Sequence, residues 1–334
     1  MIRATDLAEL QFTYRVFYVS AAVSRSYFVA CSPDGVATAL TSDLIVISRF
    51  HVRKPIDIAV SSSGNRLAVV DEQAITVLEA NGQSRVAVVD GRFQACAFVA
   101  ADRYLCTTTR ASDDSISLEL RDSTSLQLLS RVSVDDPFGS SDCMIVRSPR
   151  PNHLSLWIAA GQDGQAIRTV VISQNSLTET PFTDLLETTP PAFSTSGTSV
   201  LVIHDACELR HYSYPAAGLL GTFHWAQSDD ALSGNIAFLN EMTAIVSSEN
   251  GRLYLIDLIT YTLIDEVAIA GHEAREISKI YPSFHEEAGI ASDLGLFQPL
   301  PDGRFVSTHR SSPFNATEWH DTLATWRLDK FGAA

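Results

Sequence analysis

Cations are scarce in this 334-residue chain: 24 Lys and Arg stand against 39 Asp and Glu, a formal net charge of −15. Like charge opposes a nucleic-acid backbone or an anionic membrane as the main partner, so neither is expected. Long hydrophobic runs are missing too. No stretch approaches the ~20 apolar residues that cross a bilayer. Cysteine is sparse: Cys31, Cys96, Cys106, Cys143 and Cys207 make an odd number without a CxxC spacing. They read as buried free thiols in a reducing compartment rather than a disulfide framework. Residues 1–10 carry acids and no continuous apolar segment, unlike a secretion leader, so a cytoplasmic location is expected. GxSxG, HExxH, P-loop and GxGxxG motifs do not occur.

What the sequence has in quantity is apolar residue, 46% of the chain, enough for a large core. Much of it recurs. Leu253, Leu255 and Asp257 close one apolar run, and Leu263, Val267 and Ile269 form the next. Leu118, Leu120, Asp122, Leu128, Val132 and Val134 repeat that register at an offset of 257 − 122 = 135 residues. That is three repeats of about 45 residues. Weaker copies put Glu79, Ser173 and Ser213 at the same position. A second landmark precedes each copy, an apolar strand ending in a turn, at 58–64, 95–102, 144–152, 191–197, 236–241 and 297–303. Gly, Asn and Asp stand where those turns reverse. A β-sandwich with irregular strands is the competing reading, but sandwiches rarely repeat one four-strand unit along the chain.

The pattern resembles the β-propeller superfamily, nearest to WD40 and YVTN-type blades. Gly271 and His272 resemble the Gly-His step of a WD40 repeat, and Ile256-Asp257 and Trp326-Arg327 take the place of its Trp-Asp. The resemblance implies an all-β chain, one seven-bladed propeller of four-stranded antiparallel blades over 1–334. The blades fall at about 11–50, 56–90, 93–135, 143–186, 191–225, 235–269 and 270–328. Strands are lettered a to d from the channel outward. Spacing favours residues 12–20 as the first strand a, leaving 2–7 to complete the last blade. The alternative puts 12–20 outermost in that blade. The last blade is long: Asp257 to Arg327 spans 327 − 257 = 70 residues, with insertions at 273–295 and 310–321.

In a propeller the b–c and d–a connections emerge on one face, which here carries most loop acids. Asp113, Asp114, Asp163, Asp205 and Glu249 fall in b–c loops, with Asp71 and Glu72. Asp135, Asp136, Asp229 and Asp230 fall in d–a loops, with Asp142 and Asp184. Tyr281, Phe284, Phe314 and Trp319 sit in the two insertions as candidate interface anchors. The opposite face is expected to be near-neutral or mildly positive. It has fewer acids, such as Asp102 and Glu241, and more neighbouring arginines. Strand a segments look mostly apolar, so no catalytic residue, metal or cofactor is expected in the channel. His204, Asp205 and His211 are the best local imidazole cluster, and the two imidazoles fall on different strands. The reading is a non-enzymatic propeller, a scaffold, adaptor or inhibitor, binding a protein with a basic surface. A channel-centred hydrolase or lyase and a sugar or peptide sensor are the alternatives.

Overall fold

A computed structural model describes residues 2–14, 16–82, 84–111, 115–136, 138, 142–159, 164–185, 188–226, 230–249, 251–269, 294–300, 302–310 and 321–328. It is a seven-bladed β-propeller. The chain opens with β1 (Ile2–Gln11) and then enters blade 1 with β2 (Tyr18–Ala21), β3 (Tyr27–Cys31), β4 (Val36–Thr41) and β5 (Val46–His51). Blade 2 holds β6 (Asp57–Val60), β7 (Arg66–Val70), β8 (Ala74–Glu79) and β9 (Arg85–Asp90). Blade 3 holds β10 (Phe93–Val99), β11 (Tyr104–Arg110), β12 (Ile116–Asp122) and β13 (Leu128–Ser133). Blade 4 holds β14 (Asp142–Arg147), β15 (His153–Ala159), β16 (Gln165–Ser173) and β17 (Ser176–Leu185). Blade 5 holds β18 (Ala192–Phe193), β19 (Ser199–His204), β20 (Glu208–Ser213) and β21 (Leu219–His224). Blade 6 holds β22 (Leu232–Asn240), β23 (Thr243–Ser248), β24 (Leu253–Asp257) and β25 (Thr262–Ile269). Blade 7 holds β26 (Leu294–Pro299), β27 (Phe305–Arg310) and β28 (Asp321–Leu328), with β1 as its outer strand.

β1 settles the choice between the two closures. It pairs antiparallel with β28 from Ala4 to Gln11, and its first residues also pair parallel with β25, Ile2 against Val267. Blades 6 and 7 thereby share one eight-stranded sheet. Blade 1 starts at Tyr18 rather than near residue 12, because the link between is spent on the closure. Phe12 N–H donates to Asp321 O and Val16 N–H to Asp321 Oδ2, both at 2.8 Å.

Burial explains the long apolar runs. Strands b and c of each blade are covered on both sides, as in β3, where all five residues are buried. Strand d has one wet side, and β5 and β9 alternate accordingly. The seven buried clusters fall one to each seam between neighbouring blades. In β15 the sequence alternation separates two seams rather than core from water. Leu154, Leu156 and Ile158 enter the cluster shared with blade 3, and Trp157 packs toward blade 5.

In blades 3, 5 and 6 the residue that marks the repeat caps the c–d turn. Asp122 Oδ1 accepts from Thr124 and Ser125 N–H, Asp257 Oδ1 from Ile259 and Thr260 N–H, and Ser213 Oγ from Gly218 N–H. Nearby, the chain turns left-handed at Leu44, Gly82, Leu126, Ala217 and Tyr261, with φ of 52–72°. Each of these positions meets strand d of the blade before it. Leu44 shares a cluster with Ala8 and Leu10 of β1, and Leu126 shares one with Ala87 and Val89 of β9. Ala217 packs with Phe182 of β17. At Gly82 the aromatic comes from the other side: Phe50 of β5 lies over the glycine.

Tyr261 lies over Gly221 of β21, where an added Cβ would come within 2.0 Å of Tyr261 Cε2. The Gly221→Ala variant is therefore expected to lose about 1–3 kcal/mol by overpacking. In a chemical-denaturation double-mutant cycle the Tyr261→Ala background should cancel most of that loss. Additive losses would show that Tyr261 is not what the missing Cβ protects. Removal of residues 2–11 is expected to abolish the single cooperative thermal transition and cause aggregation, because it bares the edges of β25 and β28. Unchanged scanning calorimetry would contradict that role for β1.

Candidate functional site

The acids of the two faces differ in what surrounds them. On the a–b and c–d face, carboxylates are built into the framework. Asp102, in the a–b turn of blade 3, accepts from Ser62 N–H at 2.6 Å and Ser63 N–H at 2.8 Å in the a–b turn of blade 2. Burial would raise its pKa, but those amides hold it below the ordinary carboxylate range. Glu241 does the same for blade 5, accepting from Ser196 N–H at 2.8 Å. Asp302 and Asp43 hold Arg304 between blades 7 and 1. The arginines of this face are engaged as well, as when Arg66 Nη1 donates to Ser123 O at 2.9 Å.

On the b–c and d–a face several acids keep their surface. The side chains of Asp142, Asp135 and Asp205 are 92%, 77% and 48% exposed. Three of the candidates come together over blades 5 and 6. Asp205 occupies the b–c turn after β19, and Ala206 O in that turn accepts from Leu232 N–H at 2.8 Å. Asp230 lies just before β22, and neighbouring Ala231 O accepts from Glu249 N–H at 2.8 Å. Asp230 is half-buried, with Oδ1 accepting from Ala231 N–H at 3.0 Å, whereas Glu249 is exposed. Glu208, which the sequence reading did not single out, joins this group. It binds Arg210 at 2.6 Å and has His224 Nδ1 at 3.2 Å and His204 Nδ1 at 3.8 Å. Its pKa is lowered, first by the bond from Arg210 and then by the charges of Arg210 and both imidazoles.

Asp135 and Asp136 stand apart, on the connection from blade 3 to blade 4. Asp135 is part of a seam, its carbonyl oxygen accepting from buried Arg168 Nη2 at 3.2 Å. Asp136 Oδ1 accepts from Phe138 N–H at 3.0 Å. Asp71 is buried and caps its own b–c turn through Gln73 and Ala74 N–H. Asp113, Asp114, Asp163, Asp229, Tyr281, Phe284, Phe314 and Trp319 lie outside the described residues. The imidazole grouping divides. His204 stays at the loop face beside Asp205 at 3.1 Å, while His211 is buried in the blade 5–6 seam with Nδ1 3.1 Å from Tyr261 OH.

The channel is more polar than its strands suggested. Asp57 opens β6, and its Oδ2 accepts from Cys96 N–H of β10 at 2.8 Å. Burial raises its pKa to about 7 against the pull of the Cys96 and Ile58 amides. Arg147, at the end of β14, reaches across to blades 2 and 1, donating to Val60 O at 3.1 Å and Ala21 O at 3.0 Å. Each is a single charge in an apolar run, so periodicity passes over it. Among the described residues no group of three or more His, Cys, Asp or Glu is arranged to hold a metal ion.

No protein-family model matches this chain, and no curated protein matches it. Solved structures do. The β-propeller domain of Cps50 (Swd1) from Myceliophteria thermophila aligns over 97% of this chain and 99% of its own, with a TM-score of 0.66 and 12% identity. In all, 1621 solved chains match, a breadth that identifies the fold and leaves the activity open.

Asp57 gives a signed pH dependence. Its folded pKa of about 7 lies above the unfolded value of 3.8, so the protonated form favours folding. That contribution is complete below pH 3.8 and is lost as pH rises through 7. Relative to the Asp57→Asn variant, the wild type should lose on the order of 2–3 kcal/mol between pH 5 and pH 8 in denaturant unfolding. Parallel pH profiles for the two proteins would place the Asp57 pKa elsewhere.

Proposed function

We propose that this propeller is a non-enzymatic protein-binding module whose contact surface is the acidic b–c and d–a face, and whose partner presents a basic surface. The observation that carries the reading is the difference between the faces. Asp102, Glu241 and Asp302 of the a–b and c–d face are tied into turns and blade contacts, whereas Asp142 and Asp205 keep 92% and 48% of their side-chain exposure beside Arg110 and His204. Exposed carboxylates on one face attract a cationic partner and orient it before contact. The grouping of Asp205, Asp230 and Glu249 over blades 5 and 6 makes that end of the face its centre. The β-propeller fold is compatible with a scaffold role. Free thiols at buried Cys31, Cys96, Cys106 and Cys143 support work in a reducing cytosol.

The test is capture of partners from a lysate of the source organism at about 0.05 M and about 0.3 M salt, with mass-spectrometric identification. The wild type is compared with a variant carrying Asp205→Lys and Glu249→Lys, together with Asp113→Lys and Asp114→Lys. A basic protein retained at low salt by the wild type and lost with the variant is the expected result. Retention of the same protein at full affinity by a folded variant would remove the acidic face from the reading.

A further inference from the structure

The outer corner of blades 5 and 6, at the c–d end, carries an apolar surface that no blade covers. Leu219, Leu220, Met242, Ile259, Leu263 and Ile264 are each 43–66% exposed. They belong to one place. Tyr261, in the same turn as Ile259, lies on Gly221 next to Leu220, and Met242 O accepts from Leu258 N–H at 2.9 Å. Ile264 is the extra residue of a bulge in β25, since Leu263 pairs with Ile256 and Asp265 with Leu255. Leu220 is its counterpart in β21, between the pairs Leu219–Tyr212 and Gly221–His211. A bulge twists a strand away from further edge pairing, so these side chains offer a surface rather than a free edge. Large exposed aliphatics gathered at one point mark a contact site.

The charge around this corner selects the occupant. The acids next to the corner in sequence are Glu241, Asp257 and Asp265, and the one Lys or Arg between Arg210 and Arg275 is Arg252. Arg252 precedes β24, at its far end from the corner, where the charges of Glu266 and Asp230 act on it. Glu241 precedes Met242, Asp257 precedes the turn that presents Ile259, and Asp265 follows Ile264. The comparable exposed run of blade 1, Ile45 to Ile47, has Arg49, Arg53 and Lys54 close by in sequence instead. An apolar centre with an acidic, cation-poor rim matches a partner of inverse design. We infer that the blade 5–6 corner is a second docking surface, which takes a basic amphipathic segment of a partner protein, its aliphatic side chains seated on Leu220, Ile259 and Leu263 and its Lys or Arg facing Glu241, Asp257 and Asp265. The site is distinct from the acidic loop face, which lies at the other end of the same strands.

The probe is a fluorescein-labelled Leu/Lys amphipathic peptide of fourteen residues, followed by anisotropy on the full chain. Two peptides of equal length serve as controls, one with every Leu replaced by Ser and one with every Lys replaced by Glu. The comparison protein carries Leu220→Ser, Ile259→Ser and Leu263→Ser, changes at exposed positions that leave the seams intact. The Leu/Lys peptide should bind the wild type about tenfold tighter than either control, and the triple variant should lose about tenfold. Added salt should weaken the complex. Undiminished binding to the triple variant, or equal binding of the Ser/Lys peptide, overturns the proposal. So does a dimer in light scattering that the triple variant abolishes, which would make the occupant a second copy of this chain. Patch-dependent binding to phosphatidylcholine–phosphatidylglycerol vesicles would make it a membrane. The Asp205→Lys, Glu249→Lys variant should keep the peptide, so failure here and failure of the loop-face reading are separate results.

Discussion

Beside the buried seam, each blade of this ring is locked to the one before it at the turn between strands c and d. The residue there adopts a left-handed backbone and fills a place on the preceding strand d. For Leu44, Leu126, Ala217 and Tyr261 that conformation costs about 1–2 kcal/mol apiece. Such strain persists only where the surroundings over-determine it. Here the capping carboxylate or hydroxyl fixes one side of the turn and the neighbouring blade fixes the other. Blade 4 reaches the same end by different means. Its c–d turn is a tight hairpin through Gln174 and Asn175, and Tyr104 of blade 3 donates its hydroxyl to Asn175 Oδ1. In blade 7 strand d arrives from the start of the chain, and β1 holds that seam by pairing with β25 as well as β28. The ring is thus a series of local locks closed by one long-range strand.

This explains which parts of the fold were legible in the sequence. The repeat was visible because Asp122, Asp257 and Ser213 cap turns through bonds to residues a few positions away. Local chemistry of that kind leaves a fixed spacing. The closing strand was legible only as a preference, since nothing within residues 2–11 names its partner 320 positions later. Blade 5 shows the reverse case. Pro190 and Pro191 lack the N–H that a strand needs, and β18 shrinks to two residues. Thr188 and Thr189 compensate by bonding along β19 before the prolines. The d-strand bulges are silent in the sequence, because an extra Ile264 or Leu220 reads as one more apolar residue.

The candidate site was legible by type of loop and no further. Counting acids on b–c and d–a connections found Asp205, Asp230 and Glu249. It could not tell them from Asp71 or Asp135, whose roles depend on where a backbone amide or a guanidinium stands. Asp71 satisfies two N–H groups of its own turn, and Asp135 meets Arg168, buried in the next blade. Glu208 was passed over because it begins a strand, yet the strand ends around it bring two imidazoles and Arg210 to its carboxylate. The channel charges fail for a related reason. Asp57 and Arg147 are single polar residues in apolar runs, and their meaning lies in the neighbouring blades they bond.

The same side chain therefore does opposite work at the two ends of a blade. At the a–b and c–d end the blades approach closely enough for one carboxylate to satisfy the amides of the next turn, as Asp102 does for Ser62 and Ser63. An acid placed there serves the fold as well, and the N–H groups it accepts from hold it in its charged form. At the b–c and d–a end Asp142 and Asp205 also have neighbours, Arg110 and His204, yet keep 92% and 48% of their side-chain exposure. A net charge of −15 sets up self-repulsion in a compact ring, and the pairs of Arg304 with Asp302, Arg210 with Glu208 and Arg168 with Glu179 offset part of it. The surface available for recognition is therefore tied to how the blades are locked, because a carboxylate recruited into a lock keeps its charge but is held in one place, as Glu241 and Asp257 are at the blade 5–6 corner.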